Sequence, residues 1–532
     1  MKMKYTAALA AFALCGTMNA QDIYKVEALS GSDLNGTARY VGMGGAMSAL
    51  GADLSVMESN PAGIGMYRRS DIAFTGSATV QPNGQAFADI DKARGSFDQA
   101  GFVYAINMGN NGNKLRFVNF GFNYQKRRNM KSFIGLNNIS TDNGASQTWQ
   151  FQELAGTLDL SQKDIQTNPS AITAYDAGLI SPKTDVSGKI TGYDPSNSLA
   201  YNYNRAQWGG IQQYDFNVSF NISNRVYIGA TVGVYNVDMR NHLEYDENLV
   251  DNTGATAAYN MDYDESLTGT GFDIKAGVIF RPLENSPFRI GLSVSTPIFY
   301  DLTQNAYLKM NSPYAYTDNN GNTYERTIAD YSVNDFDYRI RTPWKLGISL
   351  ATTVGNYLAL DAEYEVSRYT GAQVRYPDYH YDDWYDYGYT SSTRDRYMDK
   401  EIDNMLNTLQ TFRMGAEVRF APGFFGRIGY NYVSSPFKKE AYLNTFTESP
   451  SYAYSLNTDY VNLGAINRIT LGMGYRGKHV YADMAYQYQN QQADVYAFRA
   501  TADGTGKGNN ILPAQKFDLD RHNVMFTLGF KF

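Results

Sequence analysis

The chain has 532 residues, with 46 Lys and Arg against 53 Asp and Glu for a net charge of -7; it is rich in Tyr (44) and Gly (48), poor in Pro (15), and negative in mean hydropathy. Nucleic acid is a poor partner for so acidic a chain. No stretch of about 18 or more apolar residues exists to supply a membrane helix, and a single cysteine, Cys15, argues against thiol catalysis and Cys-ligated metal.

Lys2 and Lys4 precede an apolar run from Ala7 to Leu14, and small or polar residues follow up to Asn19-Ala20-Gln21. This pattern predicts a secretory signal peptide over residues 1 to 20, cut after Ala20, although Met18 is bulkier than the usual residue three positions before a cut. Leu14 misfits the small residue expected before a lipoprotein cysteine, so the mature chain is expected to carry neither cysteine nor lipid anchor. Loss of Lys2 and Lys4 takes its net charge from -7 to -9.

Residues 21 to 69 do not alternate in polarity. The stretch Arg39-Tyr40-Val41-Gly42-Met43-Gly44-Gly45-Ala46, running on to Ala52-Asp53 and Asn60-Pro61-Ala62-Gly63, has small residues, short helical patches and a proline break. Gly42-Met43-Gly44 is not a nucleotide loop, because Met47 stands where the third glycine would be and no βαβ unit follows.

From residue 71 onward, polarity alternates residue by residue, as in strands with one oily face and one polar face. Fourteen such strands are predicted near 71–80, 100–108, 115–125, 212–222, 226–238, 270–281, 287–296, 343–353, 357–367, 409–420, 424–432, 466–476, 479–489 and 522–532. In the last, Val524, Phe526, Leu528, Phe530 and Phe532 share one face, opposite Met525, Thr527, Gly529 and Lys531. Tight turns (109–114, 223–225, 282–286, 354–356, 421–423, 477–478) take turns with long connections (81–99, 126–211, 239–269, 297–342, 368–408, 433–465, 490–521). Short turns on one side and long loops on the other predict an all-β, transmembrane antiparallel β-barrel of the outer membrane, with both termini in the periplasm. Residues 21–69 are then expected as a periplasmic-side hatch inside the lumen. A soluble sandwich or β-helix would not need so many lipid-like faces.

The Gly-Gly-Ala, Ala-Asp and Asn60-Pro61-Ala62-Gly63 series ahead of a first strand near 71 resembles the FadL/TodX (OmpP1) family of outer-membrane transporters for hydrophobic compounds. Weaker matches follow at Gly277-Val278-Ile279-Phe280-Arg281-Pro282, Arg289 to Ile298, and Thr342-Pro343-Trp344-Lys345-Leu346-Gly347. The resemblance implies a fourteen-stranded barrel plugged by an N-terminal hatch, passing fatty acids or aromatic hydrocarbons without an energy source. Cargo would be caught by the outer loops, shift the hatch, and leave through the barrel wall. On that basis Asn60, Pro61, Ala62 and Gly63 are hatch residues, with Pro61 and Gly63 fixing an unusual backbone path; read without the family, Asn-Pro-Ala could equally be a turn.

Charges fall on the inward strand faces: Asp273, Lys275, Arg289, Lys345, Asp361, Glu363, Glu365, Arg413, Glu417, Arg419, Arg427 and Asp483. Neighbouring strands carry opposite signs, as with Lys345 beside Asp361 to Glu365, so paired lumen charges are expected rather than catalytic carboxylates. A charged lumen is a poor path for an apolar molecule, which favours sideways exit or a polar cargo.

Apolar residues recur in the long loops: Trp149, Phe151, Leu154 and Leu158, then Ile172, Tyr175, Leu179 and Ile180, and a helical stripe of Ile402, Met405, Leu406 and Leu409. These either form a capture groove for a hydrophobic ligand or pack the loops together over the barrel mouth. The run Tyr376 to Tyr387 could hold a sugar or Ca2+, but more commonly such a run is a solvated loop. His242, His380, His479 and His522 lack ligand spacing, and no Gly-x-Ser-x-Gly is present, so no metal, cofactor or enzymatic activity is expected. The expected function is passive transport, with a porin-like or surface-binding role recognising a polar ligand or host molecule as the alternative. Outer-membrane lipid and the barrel-assembly machinery, reading the strand that ends at Phe532, are the expected partners of a monomer.

Overall fold

The structure is a computed structural model. It describes residues 23–532 except 85–86, 88–90, 92, 110–113, 142–143, 163–167, 251–253, 255, 313–315, 318–322, 325–326, 378–390, 444–455, 457, 500, 503–508 and 511. The predicted signal peptide and most of the Tyr376 to Tyr387 run, with His380, lie outside the described residues.

Fourteen antiparallel wall strands close into a barrel, the first (Asp71–Val80) pairing with the last (Arg521–Lys531) from Asp71 opposite Lys531 to Val80 opposite His522. Closure joins the first strand to the last, so the wall does not end in the two open edges of a flat sheet. Between them run Ala93–Asn107, Leu115–Asn129, Asn197–Ile222, Val226–Val250 and Thr256–Phe280. The seventh and eighth strands are each broken once by a proline, into Arg289–Ser295 with Phe299–Ser312 and Thr327–Arg341 with Lys345–Val354. Leu358–Arg368, Thr408–Ala421, Phe424–Val433, Tyr460–Arg476 and Val480–Tyr496 complete the wall. All fourteen predicted strands are present. The outward face is apolar as expected: Phe526, Trp344, Ile348, Leu471 and Met473 are each about half exposed, whereas Met525 and Thr527 are buried. No helix among the described residues is long and apolar enough to cross a membrane.

The main difference is strand length. Stretches read as loops at 126–211, 239–269 and 297–342 contain wall strands that continue for ten or more residues past the apolar belt. In Val226–Val250, the outward residues Ile228, Val232 and Val234 are oily, and farther along the same face carries Asp238, Arg240, Glu244 and Asp246. The inward face changes the other way, from Gly229, Thr231 and Gly233 to Tyr235, Val237, Leu243, Tyr245 and Leu249, these last five fully buried. Once a strand leaves the membrane, water is outside and oil belongs inside. The adjoining strand reverses at the same level, since Val237 lies opposite Gly269 and Leu243 opposite Tyr263.

Residues 23–69 lie inside the ring. Helix Ile23–Ser30 places Ile23, Val26 and Leu29 on one stripe, packed against Tyr300, Leu302, Ile340 and Ile402. Because this helix is surrounded by wall, its charges need wall partners, and Glu27 meets Arg128 at 3.0 Å while Lys25 pairs with Glu265. Glu265 and Gln304 sit far along their strands from the short turns, so the segment reaches the long-loop half of the lumen rather than keeping to the short-turn end.

Candidate functional site

Two glycine patches on the wall seat the N-terminal segment, residues 23–69. Around the first, the 3-10 turn Pro61–Met66 is capped by Asn60, whose side chain accepts from the Ala62 N–H at 3.2 Å. A Cβ on Gly229 would lie 2.5 Å from the Pro61 carbonyl carbon, and one on Gly277 would collide with the Asn60 amide. At the second patch Gly42 lies against Gly472, and a Cβ on Gly429 would strike the backbone of Met43 and Gly44. Gly44 has φ +65 and its backbone lies against Tyr430, so here glycine is required twice over, for conformation and for space. Gly63, expected to set an unusual backbone path, does not have positive φ; it is needed for space, its added Cβ lying 2.7 Å from Val56 and 3.2 Å from Gly51.

Charge fixes the same segment. Arg39 holds Glu417 through two bonds of 2.9 and 3.0 Å, and Glu417 also accepts from Arg427 at 2.6 Å. Arg127 reaches Glu58 at 2.7 Å, and Lys275 lies 2.8 Å from Asp215 and 3.3 Å from Asp273. Paired lumen charges were expected, but some pairings differ. Arg413, not Lys345, takes Glu363 and Glu365. Arg289 donates to the Leu50 carbonyl at 2.8 Å, the Asp361 carboxylate accepts from the Leu50 N–H at 2.8 Å, and Arg419 is exposed at the rim.

One stretch of wall is incompletely zipped. The second strand pairs with the first along its outer part, from Ala93 opposite Val80, but reaches the third only from Gln99 opposite Gln125 downward. Lys126 to Asn129 of the third strand pair on their other side with Gln212 to Gly210. On the open side, the hatch replaces the missing strand: the Asp33 N–H donates to the Arg127 carbonyl at 2.9 Å, the Asn35 amide to the Lys126 carbonyl at 2.8 Å, and the Asp33 carboxylate accepts from the Asn129 N–H at 2.8 Å. Outside this stretch is a bay of about 630 Å³ lined by Ala93, Phe97, Lys126, Trp208 and Gly209. Inside lies a cavity of about 190 Å³. Asn129 lines both. Sequence reasoning missed Asp33 and Asn35, because their role is to satisfy backbone groups and has no side-chain signature.

The loop residues singled out from sequence divide between two cores. Phe151, Leu154, Ile172, Leu179 and Ile180 are buried in a cap with Tyr203, Tyr245 and Tyr263 over the long-loop end; Trp149 and Tyr175 are part-buried, and Leu158 is 40% exposed. Ile402, Met405 and Leu406 are buried instead against the hatch helix, and Leu409 begins a wall strand beside them. The structure does not bring the two sets into one groove.

Within the cap, Glu247 is buried on the part of its strand beyond the belt, accepting from the Gln147 N–H at 3.3 Å, where helix Gln147–Ala155 begins. Burial pushes its carboxyl up from 4.5 to about 7, and the hydroxyl groups of Tyr259, Ser198 and Ser146 close by and the Gln147 N–H that donates to it oppose the rise. A carboxyl raised on folding leaves the cap fully stable below about 4.5, and stability is lost as pH rises through about 7, by about 3 kcal/mol in total. Amide exchange in helix Gln147–Ala155 is therefore expected to be faster at pH 8 than at pH 5 after correction for intrinsic rates. Glu247→Gln should abolish the difference, and a difference that persists in the variant would assign it to another group.

No family model matches the chain, and no curated protein matches it. Among solved structures it aligns over 94% of its length with a FadL homologue of Pseudomonas aeruginosa (12% identity, 100% of that chain, TM-score 0.49). It aligns over the same share with the toluene transporter TbuX of Ralstonia pickettii (12% identity, 99% of that chain, TM-score 0.45). The same share again aligns with the toluene transporter TodX of Pseudomonas putida (11% identity, 100% of that chain, TM-score 0.47). These likenesses concern the course of the chain alone.

Proposed function

We propose that this barrel resides in an outer membrane, with its short turns and termini periplasmic, and passively transports hydrophobic small molecules such as long-chain fatty acids or aromatic hydrocarbons. Cargo enters past the long-loop cap, the hatch is displaced, and release is sideways through the wall between the second and third strands. One observation carries this reading: the unzipped stretch Lys126 to Asn129 is closed from within by hatch residues Asp33 and Asn35, so hatch and wall gap form one device. Sideways release also spares an apolar cargo the charged lower lumen, where Arg39, Glu417, Arg427 and Asp483 crowd the path. Phe97, outside the gap, is 54% exposed toward lipid, giving the exit an apolar threshold.

Proteoliposomes holding the protein should take up a radiolabelled fatty acid or aromatic hydrocarbon faster than protein-free vesicles. Uptake of neither would refute apolar transport. Uptake of small sugars instead would favour the porin-like reading, to which the charged inner cavity lends support.

A further inference from the structure

The two ends of the barrel carry opposite charge. The short turns and the strand ends beside them (107–116, 223–225, 281–288, 354–357, 419–423, 476–479 and 531–532), with residues 67–70, hold ten Lys and Arg and one acid, Glu284. At the long-loop end the outward face of two adjacent strands runs the other way, with Asp238, Glu244, Asp246, Asp262 and Asp264 against Arg240 and His242. In a chain of net charge -7, a basic end is a local arrangement and no reflection of composition.

The cations of this end lack counter-charge. Arg69 donates to the Lys478 carbonyl at 3.1 Å and the Lys531 carbonyl at 3.2 Å, Arg225 to the Pro282 carbonyl at 3.2 Å, and Arg281 to the Asn224 and Ser286 carbonyls at 3.3 and 3.2 Å. All these acceptors are neutral. Lys114, Arg419 and Lys478 are exposed and make no ion pair among the described residues. The acid nearest the rim, Asp71, is buried; it accepts from the Tyr481 hydroxyl at 3.0 Å and faces Lys531 at 3.7 Å. Gathered like charges repel, and a guanidinium bonds an oxyanion more strongly than a neutral carbonyl.

A band of rings stands on the lipid side of the same cations. Phe420, Phe424 and Tyr475 follow one another with centroids 6.3 and 5.1 Å apart, and Tyr357 and Phe532 are exposed beside other turns. Such rings settle where hydrocarbon meets headgroups. Arg419, Lys478 and Lys531 lie one to three residues from Phe420, Tyr475 and Phe532, which sets their charges at headgroup level. We infer that the short-turn end is a docking surface for anionic phospholipid headgroups of the leaflet it faces, with Arg69, Arg419 and Lys478 receiving the phosphates and the rings lying against the chains. An acidic soluble protein matches the charge, but the ring band beside the cations favours lipid. The inference rests on the reading of the wall as membrane-spanning and on no step of transport.

The test reconstitutes the full-length barrel in phosphatidylcholine bilayers and compares, by spin-label spectroscopy, how much spin-labelled phosphatidylglycerol and phosphatidylcholine the protein immobilises. Phosphatidylglycerol should be preferred by roughly threefold or more. The preference should fall toward one in about 1 M salt, where charges are screened beyond ~3 Å. Lys114→Ser, Arg419→Ser and Lys478→Ser together should bring it near one, and Lys478→Ser alone should lower it part-way. Heat-modifiable migration on electrophoresis shows whether each variant is folded; if the triple variant is not, the single variant and the salt series decide. Equal immobilisation of the two lipids by the intact chain, or an unchanged preference in the folded variants, would overturn the inference. Equal immobilisation with saturable binding of poly-glutamate would also overturn it, assigning the face to an acidic protein. Because no arm measures uptake, failure here leaves the uptake experiment to decide the proposed function.

Discussion

Deleting residues 21–69 is expected to turn a closed barrel into an ion-conducting pore, with conductance in planar bilayers roughly tenfold or more above that of the intact chain, because a fourteen-stranded ring is wide enough to hold water once its filling is removed. The wall should survive. Its strands pair with one another over nearly their whole length, and the backbone bonds it draws from residues 21–69 are few, at Lys126 to Asn129 and at the Lys478 and Lys531 carbonyls reached by the Arg69 side chain. Charges such as Glu417, Arg427 and Asp483 then face water, where they are cheaper to keep than in a filled lumen. The apolar patch of Ala73, Val103, Ala351 and Met525 that the hatch now covers would be wetted, lowering the melting temperature without unfolding the ring. Unchanged conductance in a folded deletion protein would mean that these residues are not the plug.

A reversible covalent lock gives the second large effect. A Cβ on Gly291 would lie 3.4 Å from that of Ala49, close to the ~3.5–4.5 Å that disulfides span. The exchange Ala49→Cys with Gly291→Cys, accompanied by Ser349→Ala to clear the Ser349 hydroxyl, therefore ties the hatch to the seventh strand. The sole native cysteine, Cys15, lies in the predicted leader, so no competing thiol is expected in the exported chain. Oxidised protein should lose nearly all cargo uptake, and reductant should restore it. Full uptake with the bridge formed would show that cargo passes without moving the hatch at this point, and gating would have to be sought in Asp33 and Asn35 alone.

The wall was legible because membrane strands obey a two-residue period with a single sense, oil outside. Phe526 and Phe530 announce it, and Thr527 and Gly529 between them confirm it. Beyond the belt, that sense fails although the period does not: in Asn236 to Val250 the even positions stay outward and become polar, so a search for outward oil reads a strand as a loop. The N-terminal segment was legible as a break in rhythm, but not its reach to Glu265, which depends on the wall partners of Lys25 and Glu27. Asp33 could not have been found, because it bonds to main chain.

The reversal of polarity near Tyr235 and Val237 acts as a draught mark on a hull. Sliding the barrel outward by one pair of residues would lift Val234 and Phe272 into water, and sliding it inward would bring Asn236 into hydrocarbon after one pair and the charged Asp238 after two. Both displacements raise the energy, so the depth at which such a barrel would sit in a bilayer is written into the chain to within about two residue pairs. The gap beside Asn129, at the level of that reversal, is thereby held at the edge of the lipid, a level that a bilayer of different thickness would have to deform to meet.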